Sequence, residues 1–282
     1  MNKTDLKERA LHGTPDFPIA IYNNTFDKEY NLLAPLHYHS EFELLVATKG
    51  TVTVRIEDTI YNLAEGEGIF INSELLHVIT SEENMNHGFV AIVFDYKFLC
   101  SESEVTFTKY IHPLINGSYL PPLYLTKEML ALVFSICNAY RSQAFGFELY
   151  IKCSLIKIIH LLLKDTTTSS LPVENSKSIL TKKIIRYMEN NFSEQITLQD
   201  MADYVHISKE YLCRIFHVMS NTSPIEYLNR YRIRQSASLL MHSNKSISEV
   251  AFACGFNNSS YFNKLFLRYM GCTPREYRKS QR

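Results

Sequence analysis

No apolar stretch in the 282 residues approaches the ~20 needed to cross a bilayer; runs such as 129–134 and 158–163, the latter broken by His160, are far shorter. The opening MNKTDLKERA is polar and lacks the apolar core of a secretory signal. Paired cysteines are missing too. Cys100, Cys137, Cys153, Cys213, Cys254 and Cys272 form neither a CxxC nor a cluster, which argues against a zinc knuckle and a disulfide framework. Together these absences predict a cytoplasmic protein with reduced thiols, without a membrane partner. Also absent are a P-loop, a GxGxxG and a Ser/His/Asp nucleophile pattern. Net charge is lacking as well, with 29 Lys and Arg against 29 Asp and Glu.

That zero hides an asymmetry. Residues 1–170 hold 13 Lys and Arg against 20 Asp and Glu, whereas residues 171–282 hold 16 against 9. The basic part attracts polyanions, nucleic acid foremost, unless its charge only solvates a surface. With 46% hydrophobic and 21% charged residues, the chain can bury proper cores. Its length predicts two domains at ~150 residues each. The polar, Ser- and Thr-rich stretch KDTTTSSLPVENSKS separates them. It predicts domains at 1–165 and 179–282 joined by a linker at 166–178.

In the acidic part, β-rich runs at 42–47, 51–56, 68–71 and 89–94 are divided by turn signals at Lys49-Gly50, Glu57-Asp58 and Gly66-Glu67-Gly68. That spacing predicts a β-barrel or sandwich, with residues 17–31 as an arm over its mouth. Residues 126–140 and 147–163 carry helical periodicity and predict an appended hairpin. Its stripe Leu149, Cys153, Ile156, Ile159 and Leu163 either packs on the barrel or forms a subunit interface.

The basic part has helical periodicity throughout, starting with an amphipathic helix at 179–191 that turns Ile184, Ile185 and Met188 inward. Thr197 caps the next helix, with Asp200 in capping-box position. TLQDMADYVHISKEYLCRIF and SISEVAFACGFNNSSYFNKLF then read as two helix-turn-helix units, 197–219 and 246–269. Setting Ala202 on Ala251, Ile207 on Phe256, Leu212 on Phe262 and Phe216 on Phe266 requires a one-residue difference in the turn. Ser208 caps one second helix and Asn257 or Asn258 the other, while Gly255 supplies a turn position suited to positive φ. A long helix starting at Pro224 joins the units, with Arg230, Arg232 and Arg234 assigned to its surface and to nearby acidic partners.

Helical geometry turns Tyr211, Leu212, Ile215 and Phe216 inward and leaves Lys209, Glu210, Cys213, Arg214 and His217 outside. In the second unit Tyr261, Phe262, Leu265 and Phe266 go inward, leaving Ser259, Ser260, Asn263, Lys264 and Arg268. The segment 179–282 resembles the DNA-binding domain of the AraC/XylS family. The resemblance rests on Ala251-x-x-x-Gly255-Phe256, Tyr261-Phe262-x-x-x-Phe266 and Gly271-Cys-Thr-Pro274-Arg-Glu-Tyr-Arg278. It implies that both second helices enter successive major-groove segments of promoter DNA. It places Glu210, Cys213, Arg214, Ser260, Asn263 and Lys264 at base-reading positions. Arg214 and Lys264 suit guanine O6 and N7, Asn263 suits adenine and Glu210 suits cytosine N4, the alternative for each being phosphate or solvent. Cys213 departs from the long polar residue expected there.

In the β-rich part, residues 37, 39 and 43 of His37-Tyr-His39-Ser-Glu-Phe-Glu43 share one face of a period-two strand. With His77 they resemble the metal motif of cupins, although Glu74 and Leu75-Leu76 stand where that family has proline and glycine. Three imidazoles and a carboxylate suit zinc, iron, manganese or nickel. The open alternatives are a divalent metal, contact with an effector without metal, or a structural role; Glu41 shares the parity of Glu43.

The expected fold is therefore α+β and multidomain: an N-terminal cupin-like β-barrel with a helical hairpin, then an all-α double helix-turn-helix domain. The expected function is that of a sequence-specific transcription regulator. Its effector is a sugar or related metabolite by family resemblance, and its partners are promoter DNA, RNA polymerase and a second copy in a homodimer. The rival is a metal-dependent cupin enzyme with a DNA-binding tail.

Overall fold

The computed structural model describes residues 12–26, 32–81, 86–121, 123–164, 166–168, 176–220 and 222–280. The chain divides into two compact units, with the break between Asn175 and Ser176. Residues 169–175 of the expected linker lie outside the described residues, and Ser176 already begins a helix.

Besides a short pair, Tyr119–Leu120 with Thr167–Thr168, the described residues of the first unit contain eight strands: β1 (Ile19–Phe26), β2 (Leu32–His37), β3 (Phe42–Lys49), β4 (Val52–Ile56), β5 (Thr59–Leu63), β6 (Gly68–Ile71), β7 (His77–Ser81) and β8 (His87–Phe94). They form two antiparallel sheets, ordered β1-β8-β3-β6 and β2-β7-β4-β5. Apart from the β4–β5 hairpin, the chain alternates between the sheets, as in jelly-roll sandwiches. The expected barrel thus takes the form of two packed sheets rather than one continuous hydrogen-bonded ring. Part of the expected arm is instead an edge strand, since β1 pairs with β8 along its length. Residues 27–31 of that arm lie outside the described residues.

Strand alternation sorts the core into two layers. On β3, Leu45 and Ala47 join Ile69, Ile71, Val52, Val54 and Ile79 between the sheets. Phe42, Leu44 and Val46 face the other way and meet helical residues. Those residues belong to the short α1 (His112–Ile115) and to a hairpin of α2 (Lys127–Ser142) and α3 (Phe147–Lys164). Met129, Val133 and Ile136 of α2 and Ile151, Leu155, Ile158 and Leu162 of α3 are buried at 3–4 residue spacing. Full burial of such side chains stabilises by about 1.5–3 kcal/mol each.

The expected stripe on α3 lies one step round the helix from this face. Ile159 is buried and Leu163 half-buried, but Leu149, Cys153 and Ile156 are exposed, Leu149 at 71%. Packing on the sandwich is done by the neighbouring stripe, which overturns that reading for Leu149, Cys153 and Ile156.

The second unit is all helix: α4 (Ser176–Asn190), α5 (Leu198–Tyr204), α6 (Lys209–Ser220), α7 (Pro224–His242), α8 (Ile247–Ala253), α9 (Ser259–Met270) and α10 (Pro274–Ser280). Local chemistry sets the boundaries. Thr197 with Asp200, and Ser246 with Glu249, form capping boxes. Ser223 caps α7 ahead of Pro224, Asn258 caps α9, and left-handed Gly271 ends α9. No helix among the described residues is long and apolar enough to cross a membrane.

Candidate effector site and nucleic-acid interface

His37 ends β2, His39 sits in the loop after it, Glu43 is the second residue of β3, and His77 begins β7. The residues converge from both sheets, not from the single strand that the period-two spacing suggested. Glu43 has the parity of Leu45 and so points between the sheets, and His37 lies opposite His77 in the β2/β7 ladder. A second clamp fixes His39 relative to β7. Glu74 adopts a left-handed φ of 63° and donates its backbone N–H to the His39 carbonyl at 2.7 Å, while the Ser73 hydroxyl donates to the Ser40 carbonyl at 2.8 Å.

Within the cluster, Glu43 Oε2 lies 3.2 Å from His39 Nε2 and 3.1 Å from His77 Nε2. His39, Glu43 and His77 are buried. The His37 and His77 ring centroids are 4.1 Å apart. One ligand atom from each of the four residues falls within 4.8 Å of the others. Glu41 stays outside, half-buried, with Oε2 3.9 Å from His39 Nδ1.

The outward nitrogens decide the chemistry. His37 Nδ1 meets the Pro35 carbonyl at 2.8 Å, His39 Nδ1 the Glu41 carbonyl at 3.1 Å, and His77 Nδ1 the Leu75 carbonyl at 2.8 Å. A carbonyl oxygen only accepts, so each Nδ1 carries a proton, and whenever the ring is neutral its lone pair sits on Nε2. Lone pairs of His39 and His77 held close to a carboxylate oxygen repel it unless a cation or a proton lies between. Burial, and then the neighbouring His77, push the His37 imidazole well below its usual range, which favours the neutral form. Burial alone would raise the Glu43 carboxyl, but the contacts with His39 and His77, whose Nε2 atoms donate to it when those rings carry a second proton, hold it well below the usual carboxylate range. Three imidazole Nε2 atoms and one carboxylate are a donor set for a borderline divalent cation, which would take the place of a proton between them.

Sequence reasoning missed a fourth imidazole. His12 is buried, its ring centroid is 5.4 Å from that of His39, and its Nδ1 lies 2.9 Å from the Tyr22 hydroxyl. It precedes the first strand and belongs to no spacing motif.

In the second unit, the two helix-turn-helix turns have the same backbone. Ile207 N–H reaches the Ala202 carbonyl and His206 N–H the Asp203 carbonyl; Phe256 N–H reaches Ala251 and Gly255 N–H reaches Phe252, all at 3.0–3.2 Å. Both are Schellman closures, which place a left-handed residue after the helix. That residue is His206 in one unit (φ 57°) and Gly255 in the other (φ 80°). Met201, Ala202, Leu212, Ile215 and Phe216 are buried in the first unit; Val250, Ala251, Phe262, Leu265 and Phe266 are buried in the second.

On α6, Lys209, Glu210, Arg214 and His217 are exposed and Cys213 is half-buried. Arg214 lies over the Tyr211 ring at 5.2 Å. The Glu210 carboxyl is held below its usual range by its own backbone N–H and then by the Ser208 hydroxyl. On α9, Ser260, Asn263, Lys264 and Arg268 are exposed and Ser259 is half-buried. Tyr261, expected inside, is 47% exposed, because its hydroxyl accepts from Asn229 Nδ2 at 3.2 Å at the edge of the core.

Comparison with known proteins places both units. Residues 27–157 match the family model described as an AraC-like ligand binding domain, and residues 201–280 match the helix-turn-helix domain model. The chain belongs to the AraC/XylS family. It is 29% identical to YdeC of Bacillus subtilis, an uncharacterized HTH-type transcriptional regulator, over 98% of this chain and 96% of that one. To the HTH-type transcriptional activator RhaS of Escherichia fergusonii it is 26% identical over 88% of each chain. The crystallised DNA-binding domain of AdpA, in complex with a target DNA, is 26% identical over 36% of this chain and 90% of its own, with a TM-score of 0.35.

As an AraC-type chain it is a DNA-binding transcriptional regulator with an effector-controlled, ligand-binding N-terminal domain. Its long helix α7 works differently from the sequence expectation. Arg232 is buried, donating from Nε to the Phe192 carbonyl at 2.8 Å and from Nη2 to the Glu194 carbonyl at 2.6 Å. It also lies over the Phe256 ring at 5.8 Å. It therefore staples the entry to the first helix-turn-helix onto the turn of the second, whereas Arg230 pairs with Glu226 at the surface at 2.9 Å.

Proposed function

We propose that the protein senses its effector at His37, His39, Glu43 and His77, and that a divalent cation held there is part of the sensed state. The observation that carries the reading is the common aim of the histidines: their Nδ1 atoms are tied to carbonyls, and Glu43 faces His39 and His77 Nε2 at 3.1–3.2 Å. A bound cation would supply Lewis acidity for an oxygen of the effector. The chain's own residues hold that cation and keep the carboxylate ionised. A sugar or related metabolite fits such a site through its hydroxyl oxygens.

On this reading the protein works in the cytoplasm as a regulator and not as an enzyme. Lys209, Glu210, Cys213, Arg214 and His217 on α6, and Ser259, Ser260, Asn263, Lys264 and Arg268 on α9, face promoter DNA. Glu210, Arg214, Asn263 and Lys264 read bases, and RNA polymerase is the downstream partner. The exposed face of α3 joins two copies.

The test is metal content of the purified full chain, measured alongside its DNA affinity with and without a chelator. The wild type is expected to carry about one divalent ion per chain and to change affinity on chelation; His39→Ala should lose both properties. Wild-type protein that purifies without metal and binds DNA identically with added zinc would refute the cation. An effector shifts a DNA equilibrium only through its differential affinity for two states. A His39→Ala chain that still responds to inducing growth conditions would remove the cluster from sensing.

A further inference from the structure

We propose that His12 belongs to the same site as a positioning residue, holding the His39 ring in its binding orientation and closing the cluster against water. The inference rests on the reading that the cluster holds a divalent cation.

Four observations place His12 there. It is only 5% exposed, although it lies ahead of the first strand. Its ring meets that of His39 edge-on, at 5.4 Å and 65°. Its Nδ1 is anchored at 2.9 Å by the hydroxyl of Tyr22 on β1. The segment that delivers it is a built turn: Gly13 has φ 90°, and a Cβ there would lie 2.2 Å from the Phe17 carbonyl. Thr14 and Phe17 exchange backbone hydrogen bonds across that turn at 3.0 and 3.1 Å. Phe17 then anchors the far end among Phe98, Tyr140 and Phe147, at ring distances of 5.2–6.3 Å.

Mere filling does not call for this residue. Burying an imidazole costs more than burying a phenyl ring of similar shape, so a core position beside His39 would favour Phe if packing were all that mattered. Partners one step out from metal ligands fix ring orientation, and losing one commonly weakens binding 10–100-fold. Tyr22, His12 and His39 form a chain of this kind, through one hydrogen bond and one ring contact, reaching the cluster from outside the strands that supply its ligands.

The test is a cobalt(II) titration of the full chain stripped with a chelator, read by visible absorption bands and by competition with a chromophoric chelator. His12→Phe keeps a ring and removes its nitrogens; Tyr22→Phe removes only the hydroxyl that anchors His12. Both variants are expected to bind cobalt about 10–100-fold more weakly than the wild type, with shifted bands, while His12→Gln recovers part of the loss. Metal-free melting temperature serves as the control for folding, and Tyr22→Phe keeps the test decisive if His12→Phe does not fold. Wild-type affinity and spectrum in both variants would overturn the role of His12. Failure of the wild type to bind cobalt at all would overturn the cation reading itself, and this inference with it.

Discussion

His206 and Gly255 occupy the same place in the two helix-turn-helix units, each the left-handed residue that closes the first helix, at φ 57° and φ 80°. Only one of the two must be glycine. A Cβ on Gly255 would lie 2.3 Å from the Phe192 carbonyl and 2.9 Å from the Arg232 guanidinium, whereas His206 is exposed. The left-handed conformation costs an L-residue about 1–2 kcal/mol, and the collision at Gly255 adds to that.

Gly255→Ala is therefore expected to destabilise the C-terminal unit by about 3 kcal/mol or more. His206→Gly should fall between neutral and about 1 kcal/mol stabilising. Urea denaturation of the full chain, followed through the C-terminal transition, checks both. Equal effects at the two sites would show that the Arg232 staple does not distinguish them.

Readout is the second prediction. Arg214→Ala or Lys264→Ala should each cost roughly 1–3 kcal/mol of DNA affinity, confined to one base position, if the contact is a pair of hydrogen bonds to guanine. A panel of single-base substitutions measures this. A loss spread evenly over all sequences, with a shallower salt dependence, assigns that side chain to phosphate.

Much of the second unit was legible in the sequence because its determinants are local. The Thr197–Asp200 capping pair, Pro224, Gly255 and the 3–4 residue apolar spacing act within one or two turns of chain, and the structure places them as expected. Arg232 and Tyr261 were misplaced because their positions depend on partners 38–40 and 32 residues away in the chain. In the first unit the four cluster residues were legible as a set, but not the way they meet. The alternation rule put three of them on one strand, whereas the chain changes sheets between His37 and Glu43. His12 carried no pattern at all, its position being set by a turn and by ring contacts. The α3 stripe lies one step off because apolar residues of that helix, Leu149 and Ile156 among them, also occupy its exposed face.

Dimerisation through α3 is the third prediction. Ile156→Asp places a charge at an exposed site, so the fold should survive while sedimentation shifts from dimer to monomer at micromolar concentration. Cys153, exposed in the single chain, should react with a thiol reagent faster in that variant. Buried Cys254, whose thiol burial pushes up to about 12, should stay inert in both. A wild-type monomer across the micromolar range would refute the interface.

Binding-site selection from a random duplex pool, using the full wild-type chain, tests the central claim most directly. Two reading helices on one rigid scaffold should enrich sequences with two recognition blocks about one helical turn, or 10 base pairs, apart. Arg214→Ala should relax one block and Lys264→Ala the other. A pool that emerges unenriched, or with a single block affected equally by both substitutions, would contradict the account.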